Sequence, residues 1–214
     1  MRYVEHAGHP HHVNYVATCA ACRCDRCRLT AAVRDPVASP KKLPIFVQNE
    51  ADAATIRADG FVDGRVLIEN TDLDGITLIK THGQHGSDAA VAAIAEMLGQ
   101  VCDVDFKHPR EKTLHLAGDT VWNRYVEESL QKHSPDVVVV NCGDAQLIGL
   151  GSIIMDKDDV REVQKAAPRA TILASHMEAI NHCVLSRKEL REFIQEKGIA
   201  ERVLVPEDGE VCAF

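Results

Sequence analysis

The four consecutive valines of residues 137–140 constrain this chain more than any other feature. A run that is continuously apolar and β-branched is expected of a strand covered on both faces, so it belongs in a core. Around it, from residue 43 onward, short β-like runs alternate with amphipathic helical stretches, which makes the chain α/β. The pattern predicts a strand over 43–48 and then a helix with Asn49 as N-cap and Gly60 at its end. Two β-rich runs, 65–69 and 75–80, flank a polar turn of Asn70, Asp72 and Asp74, as in a hairpin with a longer loop. A helix over 89–98 precedes paired strands at 101–106 and 113–117, joined through the turn His108-Pro109-Arg110. Beyond Asp119, the residues Trp122, Val126, Ser129, Leu130 and His133 recur at helical spacing until Pro135. Asp156 can cap a helix carrying Val160, Val163 and Ala167, followed by a strand over 170–175. Ser186 with Glu189 forms a capping box ahead of Leu190, Phe193 and Ile194, with Gly198 as terminator. Two last β-like pieces fall at 202–205 and 210–213.

Composition narrows the function. At 214 residues, 45% hydrophobic and 26% charged, the chain is large enough for one sizeable globular core. The formal charge of -8 argues against a phosphate-binding surface, and hence against a nucleic-acid partner. No apolar run is long enough to span a bilayer, and the His-rich N-terminus lacks the apolar centre of a secretory signal. A cytoplasmic protein acting on a small molecule is therefore expected, with no membrane partner and with homo-oligomer formation left open. Cys102, Cys142, Cys183 and Cys212 lie scattered in apolar or strand-like surroundings and read as reduced, buried thiols.

Three loops following β-runs carry groups able to do chemistry. The first is Thr81-His82-Gly83-Gln84-His85-Gly86, where two imidazoles sit on a glycine-flanked turn. In the second, Ala117-Gly118-Asp119-Thr120, the carboxylate follows a strand and its simplest reading is a helix cap. The third is the segment 175–182, where His176 ends a strand and His182 follows six residues later. Each loop alone is weak evidence, because Asp caps and loop histidines are common. Jointly, one carboxylate and two or more imidazoles make a donor set suited to Zn²⁺, Mn²⁺ or Fe²⁺.

These segments resemble the metallo-β-lactamase superfamily, and within it the branch similar to the ascorbate-6-phosphate lactonase group. The resemblance spans about residues 43–214 and rests on GQHG at 83–86, AGDTVW at 117–122, ASHMEAINH at 174–182 and VPEDGE at 205–210. It implies an αββα sandwich of two mixed sheets, here incomplete at its N-terminus. It also implies that His85, Asp119 and His176 bind a divalent metal, Asp119 as the bridging ligand, and that His182 lies close to the chemistry. Asp119 and His182 are then the candidate catalytic groups, while Glu178 and His182 orient ligands or face substrate and His82 is a neighbour. The implied reaction is hydrolysis, a metal-bound hydroxide attacking an ester, lactone or phosphoester.

One departure is marked. The superfamily's HxHxDH motif is absent, and the residues before Leu43 read instead as an irregular Cys- and His-rich segment, 1–42, with Cys19, Cys22, Cys24 and Cys27 preceded by His6, His9, His11 and His12. Three readings stay open. The cysteines bind a soft metal, although only Arg23 separates Cys22 from Cys24. The segment is an abnormal terminus, such as a truncated product or a stretch read in another frame, as the change of composition near Pro40 suggests. Or His9, His11 and His12 replace the missing ligands, which a tail without strand pattern would support poorly. The same absence leaves open activity that is weak or lost, and a rival in which the fold serves as a non-catalytic structural or binding protein.

Overall fold

Residues 137–141 form the strand at the centre of the packing. The computed structural model describes residues 41, 42, 44–178 and 182–214. The expectations placed on the Cys- and His-rich segment up to residue 40 lie outside the described residues.

In chain order the elements are β1 (Ile45–Val47), α1 (Glu50–Ala58), β2 (Gly64–Val66), β3 (Asn70–Leu73), β4 (Ile76–His82), α2 (Asp88–Leu98), β5 (Cys102–Lys107), β6 (Leu114–Leu116), α3 (Arg124–His133), β7 (Val137–Asn141), β8 (Gln146–Leu147), β9 (Gly151–Ser152), α4 (Lys157–Ala166), β10 (Thr171–Ser175), α5 (Arg187–Glu196) and β11 (Val203–Leu204). Seven strands make one mixed sheet in the order β11-β10-β7-β6-β5-β4-β3. The pairs β11/β10, β10/β7 and β7/β6 are parallel, whereas β6/β5, β5/β4 and β4/β3 are antiparallel.

Val137 to Val140 are all buried, as a strand covered on both faces requires. Val138 and Val140 join Ile172 and Ala174 of β10 beneath Val126 and Leu130 of α3, Val160 and Val163 of α4, and Leu190, Phe193 and Ile194 of α5. At the other end of the sheet, Phe46 of β1 packs with Leu73, Leu78, Val104 and Phe106. Helix ends follow local chemistry. Asn49 accepts from the Asp52 N–H, Asp156 from the Asp159 N–H, and Ser186 and Glu189 close a complete capping box.

Several expectations are corrected. Residues 70–73 are a strand, not a turn, and β3 pairs with β4 through the two-residue loop Asp74-Gly75. Both loop residues have positive φ, 52° and 88°, the conformation that matches the twist of a tight hairpin. β2 pairs in parallel with β1 instead of forming a hairpin with β4. The cap of α3 is Asn123, whose side chain accepts from the N–H groups of Tyr125 and Val126, which frees Asp119 from that duty. Residues 210–213 form no strand, and the short β8/β9 hairpin was not anticipated. Of the four scattered cysteines, Cys142 is buried, whereas Cys102, Cys183 and Cys212 are partly exposed; all four are free thiols.

Candidate metal-hydrolase site

Strand direction decides where the three loops go. β6, β7 and β10 run in parallel, and β4 runs with them because two antiparallel pairings separate it from β6. The C-terminal ends of all four therefore lie along one sheet edge. His85 follows β4, Asp119 follows β6, Asn141 ends β7 and His176 follows β10. With strands about 4.8 Å apart, Asp119 starts roughly 10 Å from the end of β4 on one side and of β10 on the other, before the loops lean inward.

Hydrogen bonds tie these loops together. The Gln84 N–H donates to Thr120 Oγ1 at 2.9 Å, and the Val121 N–H donates to Gln84 O at 3.0 Å. The His85 loop and the Asp119 loop are thus bonded to each other directly. Asn141 Nδ2 donates to Asp119 Oδ1 at 2.8 Å, and in the parallel pairing Asn141 stands beside Ser175, the residue before His176. Asp119 is buried, with one carboxylate oxygen fixed in this way.

The donor chemistry suits a cation. His85 is buried, and its Nδ1 lies 3.0 Å from Leu98 O. A carbonyl only accepts, so Nδ1 carries a proton and Nε2 is the nitrogen on which this tautomer bears its lone pair, the arrangement by which outer partners orient ligand imidazoles. His176 holds a left-handed backbone, φ 56°, uncommon for a non-glycine residue and worth about 1 kcal/mol of strain. Among the described residues no group of three or more His, Cys, Asp and Glu side chains stands as a preassembled metal cage.

His182, Glu178 and His82 are held by different partners. His182 belongs to a segment joined to β8, since the Gln146 N–H donates to His182 O at 3.1 Å. Beside it, the Cys183 thiol is pushed up to about 11, chiefly by burial and further by Asp119 and Asp144, which sets this segment within electrostatic reach of Asp119. Glu178 is engaged elsewhere, accepting from the Arg187 N–H at 2.8 Å and pairing with its guanidinium. His82 ends β4 with its ring 5.8 Å from that of Tyr125.

Sequence reasoning missed two groups. Asn141 could have been noticed as the polar residue closing an apolar run. Asp103 and Asp105 of β5 alternate with Val104 and Phe106, which reads as a solvated face, yet both carboxylates are wholly buried with His115. His115 Nδ1 donates to Asp105 Oδ1 at 2.9 Å, and His115 Nε2 stands 3.7 Å from Asp103 Oδ2. Burial pushes the Asp103 carboxyl up to about 6, against the pull of His115 and of the Gly118 N–H. For His115, burial favours the neutral ring, but the two aspartates outweigh it and the pKa is raised.

The chain is 50% identical over 175 residues to UPF0173 protein YddR of Bacillus subtilis, an alignment covering 82% of this chain and 68% of YddR. The chain belongs to the UPF0173 family. Two solved structures are also similar to this UPF0173 chain. Isothiocyanate hydrolase from Delia radicum gut bacteria has 47% identity and a TM-score of 0.81, with 86% of this chain and 71% of that one covered. A possible metal-dependent hydrolase from Veillonella parvula has 41% identity and a TM-score of 0.81, covering 86% and 70%. The metallo-β-lactamase fold protein YhfI of Bacillus subtilis, at 13% identity and a TM-score of 0.58 over 83% of this chain and 68% of its own, shares the fold alone. This UPF0173 protein has the metallo-β-lactamase fold, the fold that the resemblance of GQHG, AGDTVW and ASHMEAINH implied. No protein-family model matches it. No helix of the described residues is long and apolar enough to cross a membrane.

Proposed function

We propose that this protein is a divalent-metal hydrolase in which His85, Asp119 and His176 hold the cation and Asp119 and His182 handle protons. The observation that carries the reading is the delivery of His85, Asp119 and His176 by co-directional strands to one sheet edge, with the Nε2 of His85 left free by its bond to Leu98. When bound, Zn²⁺, Mn²⁺ or Fe²⁺ would supply Lewis-acid activation of water near neutral pH. The chain's own residues set the rest. Asn141 holds one Asp119 oxygen and leaves the other for the cation or for a proton. Leu98 fixes the His85 tautomer, so that ring cannot turn away from the edge without losing a buried hydrogen bond.

Small esters, lactones and phosphoesters are the substrates proposed. The similar isothiocyanate hydrolase adds a carbon bonded to nitrogen and sulfur to the candidates. The test is metal content of the full chain together with turnover of a lactone, an ester, a phosphodiester and an isothiocyanate, before and after added Zn²⁺ or Mn²⁺. Asp119→Ala, His85→Ala and His176→Ala are expected to lower both metal retention and turnover by about 100-fold or more, beyond the effect usual for outer partners. A protein that retains no cation, with turnover indifferent to Asp119→Ala, would return the fold to a binding or structural role.

A further inference from the structure

We propose that Asp103 is a positioning residue that fixes the gap between the loop carrying His85 and the loop carrying Asp119. The inference rests on those two residues being ligands, as argued above. β5 lies between β4 and β6 and runs opposite to both, so its N-terminal end meets their C-terminal ends at the site edge. Asp103, second in β5 and paired with Thr81, stands where the two loops leave the sheet.

Its contacts reach both loops. Asp103 Oδ1 accepts from the Gly118 N–H at 2.9 Å, one residue before Asp119. On the other side, a Cβ added to Gly83, two residues before His85, would stand 2.8 Å from the same Oδ1 and 3.3 Å from Thr120 Cβ. A Cβ at Gly118 would stand 2.8 Å from Cys102 O and 3.6 Å from Asp103 Oδ1. Glycine is therefore required at both positions: a side chain at residue 83 would press on the Asp103 carboxylate, and one at residue 118 on the β5 backbone beside it.

Stability alone gives a poor account of this arrangement. A wholly buried carboxylate is costly unless fully hydrogen-bonded, and among the described residues Asp103 Oδ2, Asp105 Oδ2 and His115 Nε2 have no hydrogen-bond partner, Asp103 Oδ2 and His115 Nε2 facing each other at 3.7 Å. An apolar cluster of similar volume in place of Asp103, Asp105 and His115 together would hold the sheet about as well. What it would not supply is an acceptor aimed at the Gly118 N–H between two loops, and a cost retained at that junction points to the site.

The test compares Asp103→Ala with Asp103→Asn, using amide hydrogen exchange across residues 82–86 and 118–121 in metal-free protein and Mn²⁺ affinity by chelator competition. Asparagine keeps an oxygen for the Gly118 N–H and offers its amide to His115 Nε2. Asp103→Ala is expected to speed exchange in both loops by about 10-fold or more and to weaken Mn²⁺ by about 10- to 100-fold, whereas Asp103→Asn holds both within about threefold. Gly83→Ala, with Asp103 intact, is expected to loosen the same two loops, and it decides the matter if Asp103→Ala does not fold. The proposal is overturned if Asp103→Asn behaves like Asp103→Ala, or if Asp103→Ala and Gly83→Ala leave loop exchange unchanged and lower only the melting temperature. Should the parent chain bind no Mn²⁺, the metal reading fails while the exchange data still decide the role of Asp103.

Discussion

Gly143 offers a direct measure of how tightly the β7 and β10 loops are packed beneath His176. A Cβ at this position would stand 2.3 Å from His176 O, 2.9 Å from Cys183 Sγ and 3.0 Å from Met177 Cα. Restoring an ordinary contact to the carbonyl oxygen needs a shift of about 1 Å, and neither side is free to give. Met177 is 2% exposed, the Cys142 N–H donates to Ser175 O at 3.0 Å and the Leu185 N–H donates to Gly143 O at 3.1 Å. Overpacking of this kind costs about 1–3 kcal/mol. Weakening one or two backbone hydrogen bonds adds about 1 kcal/mol each. The lower entropy of an unfolded alanine returns about 0.4–1 kcal/mol. Gly143→Ala should therefore destabilise by roughly 2–4 kcal/mol, a fall in melting temperature of about 5–15 °C for a chain of this size. Urea unfolding followed by the single tryptophan, Trp122, beside the same loops, measures it. Gly64→Ala is the control, since its Cβ would meet only ordinary contacts of 3.7 Å or more, and it should stay within about 0.5 kcal/mol of the parent. If Gly143→Ala unfolds with the parent, the close packing that sets His176 in its strained backbone is refuted.

Gly75→Ala should cost about 1 kcal/mol in the same unfolding assay although nothing lies within 4 Å of the new Cβ, because its φ of 88° is the whole penalty; a neutral result would remove the tight hairpin. Ser186→Ala should lose about 1 kcal/mol by opening the capping box of α5, whereas Ser186→Asn, which retains an acceptor, should lose less. Asp159 is pushed up to about 6 from 3.8, first by burial, while its bond from the Trp122 N–H opposes the shift. The folded state therefore holds this proton more tightly than the unfolded state, so the contribution is complete below about pH 3.8 and is lost as pH rises through about 6. Dry, the displacement would be worth roughly 3 kcal/mol; solvent screening of a partly exposed group brings it to about 1 kcal/mol. Unfolding free energies between pH 4 and 7 should then fall with pH in the parent relative to Asp159→Asn, and parallel curves would show that burial does not govern Asp159.

The elements set by local chemistry were legible in the sequence. The capping box at Ser186, the caps at Asn49 and Asp156 and the buried valine strand depend on neighbours a few residues away, and each formed where the pattern placed it. β3 was misread because its polar residues resemble a turn, although Asp74-Gly75 is itself the stronger hairpin signal and sat two residues further on. Asp119 was weighed as a cap because it precedes a helix, but Asn123 lies closer and takes the role. The parts of the site that stayed hidden are those made by pairing across the sheet. Asp103 and Asp105 alternate with Val104 and Phe106 as on a solvated face, and nothing local reveals that His115 and the Gly118 N–H meet them from the next strand and its exit loop. The left-handed backbone of His176 lies against Gly143 of the neighbouring strand end, a contact that its own sequence neighbourhood does not announce.

The site edge and the main core are built from different contacts of the same strands, and this separates what holds the fold from what arranges the chemistry. Val138, Val140, Ile172 and Ala174 bury against α3, α4 and α5, and Ala117, Cys142 and Met177 from the loops beyond the strand ends complete the same cluster. The groups at the loop tips are set further by a few directed bonds: Gln84 to Thr120, Val121 to Gln84, Gly118 to Asp103 and Asn141 to Asp119. Apolar burial is roughly proportional to area and tolerates small displacements, whereas a hydrogen bond weakens steeply once its angle opens. Substitutions at Asp103, Gly83 or Asn141 should therefore shift ligand geometry by more than they shift global stability, while Val160 or Leu190 should do the reverse. That ordering follows from strand direction: four co-directional ends bring the donors to one edge, and β5, the opposed strand between β4 and β6, brings a side chain to the same edge to space them.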